Sequence, residues 1–436
     1  MNRLLDDPVI APYEALVGRE TVKAAVNDIL EAARRQPDGA PSFALLRDTI
    51  VVRLASERNT SLLPVVNATG ILLHTNLGRA PLAPAAIDAM RDVALGYSNL
   101  EYDLEHGARG SRYDRASALL REVTGAEDAL VVNNCAAAML LIVDTFAKHR
   151  EVVTSRGELV EIGGGFRVPD VLRRAGATLV EAGTTNRTTV DDYRRALSPR
   201  TALLLRTHTS NFRVTGFTHE ANASELAKLA HASGVPLVED LGSGALVDLR
   251  EYGLPHERTV QETLADGVDL VAFSGDKLVG GPQAGIIVGK QTLIARLKNN
   301  PLLRALRVDK LTIAALVATL RAHTGRDARR ALPFFRMLEA TLPELHDRAR
   351  RYEMARPRVS VRESTAFAGG GTLPDAQIPS VAIAHATDAV DAALASLRSA
   401  PVPIVARAAE DAVLLDLRTI FPEQDAYVIE RLSLDD

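Results

Sequence analysis

The chain carries a single cysteine, Cys135, which excludes an intrachain disulfide framework and any zinc site built on cysteines. A reducing cytoplasm is the compartment this implies. No apolar run approaches the roughly twenty residues needed to cross a bilayer. The N-terminal stretch has Asp6, Asp7, Glu14 and Glu20 where a secretory signal would have a basic start and an apolar core. Neither export nor membrane insertion is expected. Excess charge of one sign is also missing: the net charge of -4 gives no general attraction to nucleic acid, although it leaves room for a local basic surface. Internal repeats and low-complexity tracts are absent. What is present is an ordinary globular balance of 47% hydrophobic and 24% charged residues over 436 positions. That length suits one large catalytic domain with smaller domains attached.

From Glu14 to Arg58 apolar residues recur at helical spacing in two pieces, divided by the turn signal Gln36-Pro37-Asp38-Gly39. The spacing predicts a small helical N-terminal domain over 1–62. Its charges nearly balance, so charge alone makes it a packing or dimerisation module. Beyond it come seven short apolar runs: Ala129–Asn134, Glu151–Ser155, Thr178–Ala182, Ala202–Thr207, Pro236–Glu239, Asp269–Phe273 and Gly285–Val288. Several are apolar without interruption, as in Leu203-Leu204-Leu205, which a strand covered by helices on both faces requires. The expectation is an α/β large domain over 63–310 with a mainly parallel seven-stranded sheet. Ligands on such sheets bind beyond the carboxyl ends of the strands, where several polar motifs of this chain sit. From about Asn300 to Arg358 the pattern is helical and rich in arginine. A solvated face and an anion or RNA surface both remain open for that stretch. The final segments, strands near Val359, Pro379 and Val413 around a helix over Asp388–Ser399, predict a small α+β C-terminal domain within 311–436.

Three of these strand ends carry chemistry. The run ending in Ser274-Gly275-Asp276-Lys277 is followed by a glycine-rich turn, an arrangement that holds a lysine rigidly and close to a phosphate. Most lysines are solvated surface charges, but a Schiff-base lysine is presented in this way. The run before Asp240 places a carboxylate at another strand end. Pyridoxal phosphate (PLP) needs such a group opposite its ring nitrogen to act as an electron sink. A loop-capping aspartate is the alternative for Asp240. Glu239 is a rival carboxylate that strand alternation sends to the opposite face. After the first run, Asn134, Cys135 and Ala136 open a helix whose backbone N–H groups form a phosphate cup, with the Ser274 hydroxyl in support. Cys135 serves there as a small residue, since nothing near it in sequence activates a thiol.

Cup, carboxylate and lysine, in that order, resemble the aspartate-aminotransferase-like large domain of fold-type I PLP enzymes. Five longer stretches narrow the resemblance: Asn67–Pro81, Tyr97–Arg112, Ser155–Gly163, His208–Phe217 and Arg304–Thr312. They are similar to bacterial selenocysteine synthase, the L-seryl-tRNA(Sec) selenium transferase family, and the likeness runs from about residue 10 to the C-terminus.

That resemblance implies a PLP enzyme converting L-seryl-tRNA(Sec) to L-selenocysteinyl-tRNA(Sec). Water is lost through an aminoacrylyl intermediate and selenium is added from selenophosphate. Lys277 is the implied base. The family's arginine positions map to Arg79, Arg112, Arg304 and Arg307, whose planar forks suit a phosphate-like donor. Arg304 and Arg307, three apart, are expected on one face of a helix. Salt-bridged helix arginines are the alternative. Asp276 is placed to assist proton transfer or to hold the turn, and His208 and Glu158 are implied pocket residues without an assigned role. The N-terminal segment, with Tyr13–Arg19, is implied to contact the tRNA. The resemblance further implies a homo-oligomer, a dimer at least and in the family a ring of dimers, so that a neighbouring subunit supplies some arginines. Relatives that eliminate water or ammonia from free amino acids or amino sugars share the PLP motifs and form the competing reading.

Overall fold

All seven predicted runs pair into one sheet in the computed structural model, which describes residues 1–35, 41–58, 62–162, 165–209, 212–374 and 376–432. The strands are β1 (Asp128–Val132), β2 (Glu151–Ser155), β3 (Thr178–Ala182), β4 (Thr201–Thr207), β5 (Leu237–Gly242), β6 (Leu270–Ser274) and β7 (Gly285–Gly289). Their order across the sheet is β1-β7-β6-β5-β4-β2-β3. Only β7 runs antiparallel to its neighbours β6 and β1. The predicted turn at Gln36–Gly39 lies outside the described residues, as do Gly163, Ser210 and Asn211 of the longer motifs.

Uninterrupted apolar strands form here because both faces of the sheet are covered. Leu204, Val153, Val271 and Ile286 enter one core with the helices Asp114–Thr124 and Lys310–Ala322. Leu203, Leu205, Val152 and Ile287 enter the opposite core with the helix Cys135–Phe146. Each such leucine removed from water is worth about 1.5–3 kcal/mol, so the alternation within β4 fixes its register. A shift of one residue would exchange the two cores.

The helices Arg19–Arg34 and Phe43–Arg58 pack around a separate small core of Ile10, Val22, Val26, Ile50 and Leu54. The C-terminal part contains a four-stranded sheet of β8 (Val359–Phe367), β9 (Gln377–Ala386), β10 (Arg407–Ala408) and β11 (Ala412–Asp416), ordered β8-β9-β11-β10. Val66 and Asn67 pair with Ile404 and Val405, which ties the chain entering the large domain to the C-terminal core. No helix among the described residues is long and apolar enough to cross a membrane.

Candidate active site

Strand β5 runs further than its apolar pattern, through Asp240 to Gly242, because Asp240 pairs with Thr207 on β4 and Ala272 on β6. The register against β6 shifts between Asp240 and Gly242. Such a bulge re-aims side chains at a strand end. Asp240 is 7% exposed, and among the described residues its one side-chain donor is the Cys135 thiol at 3.4 Å. Burial raises its pKa, an effect opposed by that thiol and by the charges of Lys277 and His208. A buried carboxylate with only a weak S–H donor is an acceptor suited to an N–H, and a protonated ring nitrogen would restore its charged form. Glu239 points the other way, as alternation requires, and is bound by Arg206 and Arg258 at 3.0 and 3.1 Å.

Lys277 follows the end of β6 and is 4% exposed. Its backbone is held on both sides: Asp276 C=O accepts from Ala80 N–H, Leu278 N–H donates to Ser243 C=O, and Lys277 C=O accepts from Gly280 N–H. His323 Nε2 lies 2.8 Å from the Val279 carbonyl and must donate to it, since a carbonyl only accepts. Burial depresses His323 to a pKa of about 4, so the ring is neutral at pH 7. Burial likewise lowers the Lys277 pKa, as does the nearby Arg79 guanidinium. Both effects favour the free amine, the form that attacks an aldehyde.

The cup is built from the N-terminus of the helix Cys135–Phe146. Asn134 caps that helix by accepting the Ala137 N–H at 2.8 Å, leaving the first-turn N–H groups of Cys135 and Ala136 without intrahelical acceptors. Gly285 of β7 backs the turn so closely that a Cβ there would lie 2.0 Å from the Asn134 carbonyl oxygen. Asn134, Cys135, Ala136, Asp240, Ser274 and Lys277 all line one cavity of about 260 Å³. Backbone N–H donors, a carboxylate and an amine on one cavity lining are the kinds of group that the phosphate, ring nitrogen and aldehyde of PLP require. Burial also raises the Cys135 thiol pKa, which fits a packing role and not a nucleophilic one.

The four arginines divide. Arg79, at a left-handed φ of 63°, lines the Lys277 cavity and pairs with Asp276 at 2.9 Å. Arg112, Arg304 and Arg307 line a second, open cleft of about 480 Å³ together with Arg109 and Lys298. Arg112 is anchored there by Glu101 and by the Val308 carbonyl. Arg304 and Arg307 do not share a helix face: the helix ends at Leu306, and Arg307 is extended and bridged to Val132 at the end of β1. The backbone pairing to β1 overrides the helical spacing, yet both guanidiniums still border one cleft. His208 and Glu158 also sit at the carboxyl edge of the sheet. His208 Nε2 is 3.2 Å from Glu257, while Glu158 accepts the Thr207 N–H and is raised by burial to a pKa of about 7. Glu257, Glu101 and His323 went unseen in the sequence. Glu101 alone had a local signal, lying within the Tyr97–Arg112 stretch.

Comparison with known proteins follows the same line. The family model "L-seryl-tRNA selenium transferase" matches residues 65–421, and "Selenocysteine synthase N terminal" matches residues 1–34. The L-seryl-tRNA(Sec) selenium transferase of Moorella thermoacetica is 52% identical over 83% of this chain and 79% of its own length. That of Geobacter sulfurreducens is 47% identical over 99% of this chain and 97% of its own. Among solved structures, a D-glucosaminate-6-phosphate ammonia-lyase superposes with a TM-score of 0.62 at 22% identity, covering 86% of this chain and 96% of that one, a likeness of fold. The chain belongs to the L-seryl-tRNA selenium transferase family.

Proposed function

We propose that this protein converts L-seryl-tRNA(Sec) to L-selenocysteinyl-tRNA(Sec), with PLP as cofactor and selenophosphate as selenium donor. The observation that carries the reading is the convergence of the phosphate cup, Asp240 and Lys277 on one cavity in a chain of this family. Cys135, Ala136 and Ser274 would hold the phosphate, with Asn134 fixing the helix start. Asp240 would accept from the ring nitrogen. When bound, PLP supplies the electron sink that makes loss of the serine α-proton accessible. Lys277 is the base for that proton: its buried amine is neutral more readily than a surface lysine's, and its backbone is fixed at the cavity wall. The net change replaces the serine hydroxyl by selenium: the hydroxyl leaves the β-carbon as water, selenium bonds to that carbon, and the P–Se bond of selenophosphate is cleaved with uptake of water to release phosphate.

Arg112, Arg304 and Arg307 supply the anion site for selenophosphate, and Arg79 places a further guanidinium beside Lys277. The two clefts are separate in one chain. We propose that a second copy brings an arginine cleft to each Lys277 cavity, in a homo-oligomer of dimers working in the cytoplasm. In this division the chain falls into a segment 1–62 that contacts tRNA, a PLP-binding domain 63–310 and a C-terminal domain 311–436. The match of residues 1–34 to a model named for the selenocysteine synthase N terminus supports treating this segment as a unit of that family. Purified protein loaded with PLP is expected to form selenocysteinyl-tRNA from seryl-tRNA(Sec) and selenophosphate, with all turnover lost in Lys277→Ala. Elimination from a free amino acid or amino sugar, with no reaction on the tRNA ester, would replace this reading with the small-molecule one.

A further inference from the structure

Asp240 must be ionised to hold a protonated ring nitrogen, yet burial pushes it toward its neutral form. Lys277 is poorly suited to supply the opposing cation, because an amine that condenses with an aldehyde must first be unprotonated. A second basic group stands at the same strand end. His208 directly follows β4, and its backbone N–H donates to the backbone carbonyl of Asp240 at 2.9 Å, which sets the two residues side by side on neighbouring strands. Its ring Nε2 lies 3.2 Å from Oε1 of Glu257, a residue 4% exposed in the loop before the helix Val260–Ala265.

We propose that Glu257 and His208 form a positioning pair: the buried Glu257 carboxylate holds His208 as an imidazolium beside Asp240, a standing cation that keeps the Asp240 carboxylate ionised. The proposal rests on the reading that Asp240 accepts from the PLP ring nitrogen. The charges around His208 are consistent with it. Burial disfavours the imidazolium and Arg206 opposes it, but Glu257 and then Glu239 outweigh both and raise the His208 pKa. Glu239 is already engaged by Arg206 and Arg258, which leaves Glu257 as the carboxylate dedicated to His208. Lys277 adds a weaker cationic influence on Glu257 from the cavity side. The two basic groups are thus pushed in opposite directions, His208 toward its charged form and Lys277 toward its neutral one.

The test is PLP affinity, read from the visible absorbance of the bound cofactor at about pH 6 and about pH 8.5. In Glu257→Gln, His208 loses its proton within this range, so the dissociation constant should rise with pH about tenfold more than in the unsubstituted protein. Glu257→Asp should restore the original pH profile. His208→Gln should bind weakly at both pH values, without the added pH dependence. A merely structural role would lower the melting temperature and leave the profile unmoved. Equal pH dependence in Glu257→Gln and the unsubstituted protein, or undiminished affinity in His208→Gln, would overturn the pair. Should Glu257→Gln not fold, His208→Gln decides alone. Absence of a visible band in the unsubstituted protein would instead remove the cofactor reading and the pair with it.

Discussion

Replacing Gly285 by alanine tests whether the cup is built as described, because the glycine's own site is ordinary β-strand and its side-chain space is occupied. An added Cβ would lie 2.0 Å from Asn134 O, 2.4 Å from Asn134 C and 2.9 Å from Cys135 N. All three are backbone atoms of the turn that opens the cup helix, so no flexible side chain can swing aside. Overpacking of this kind costs about 1–3 kcal/mol. Relieving the clash by moving the turn would misalign the Cys135 and Ala136 N–H groups. If that whole cost falls on the bound form, PLP binding weakens by about 5- to 150-fold. Gly234→Ala is the control. Gly234 has φ +70, and a Cβ added there would meet nothing within 4 Å, so alanine incurs backbone strain of about 1–2 kcal/mol remote from the cup. Titration of both variants with PLP, followed by visible absorbance alongside melting curves, separates cup damage from general destabilisation. Wild-type PLP affinity in a folded Gly285→Ala protein would refute the placement of the phosphate at this turn.

Asp240→Asn keeps the volume but removes the charge facing the ring nitrogen, and turnover should fall at least about a hundredfold while some PLP remains bound. Steady-state rates with the absorbance of the same sample check this. Arg304 is exposed and has no ion pair among the described residues, so Arg304→Ala should raise the KM for selenophosphate about tenfold and leave the melting temperature unchanged. His323 gives a pH prediction. Its folded pKa of about 4 lies below the ordinary value of 6.5, so the unfolded chain binds the extra proton between these values. Stability is then lost as pH falls from about 6.5 toward 4, by up to ~3 kcal/mol. In His323→Gln, whose amide still has a donor for Val279, urea unfolding should show a flatter stability profile across that window.

The sheet was legible because its strands are buried on both faces and therefore read as unbroken apolar runs. Leu203–Leu205 has the unbroken apolar pattern that a strand covered on both faces requires. Strand ends were less legible. Asp240 follows the apolar run that marks the strand in sequence, yet lies within β5 because both neighbouring strands still pair its backbone. That Asn134, Cys135, Ala136, Asp240, Ser274 and Lys277 would meet at one cavity was readable from local motifs, since each sits at a strand end or helix start. Glu257 and His323 were not, because their roles arise from contacts with His208 and Val279 far away in sequence. Arg307 shows the opposite error: helical spacing implied a shared face with Arg304, but a backbone bridge to Val132 ends the helix first. Spacing also gave no hint that Arg79 would occupy a different cleft from the other three arginines.

The most direct test of the functional account compares two esters carrying the same amino acid. PLP-loaded protein is given selenophosphate with seryl-tRNA(Sec) or with ordinary seryl-tRNA, and selenocysteine released from each tRNA is measured. Conversion confined to tRNA(Sec) is the predicted result. Failure on both esters, with PLP bound and the fold intact, would contradict it.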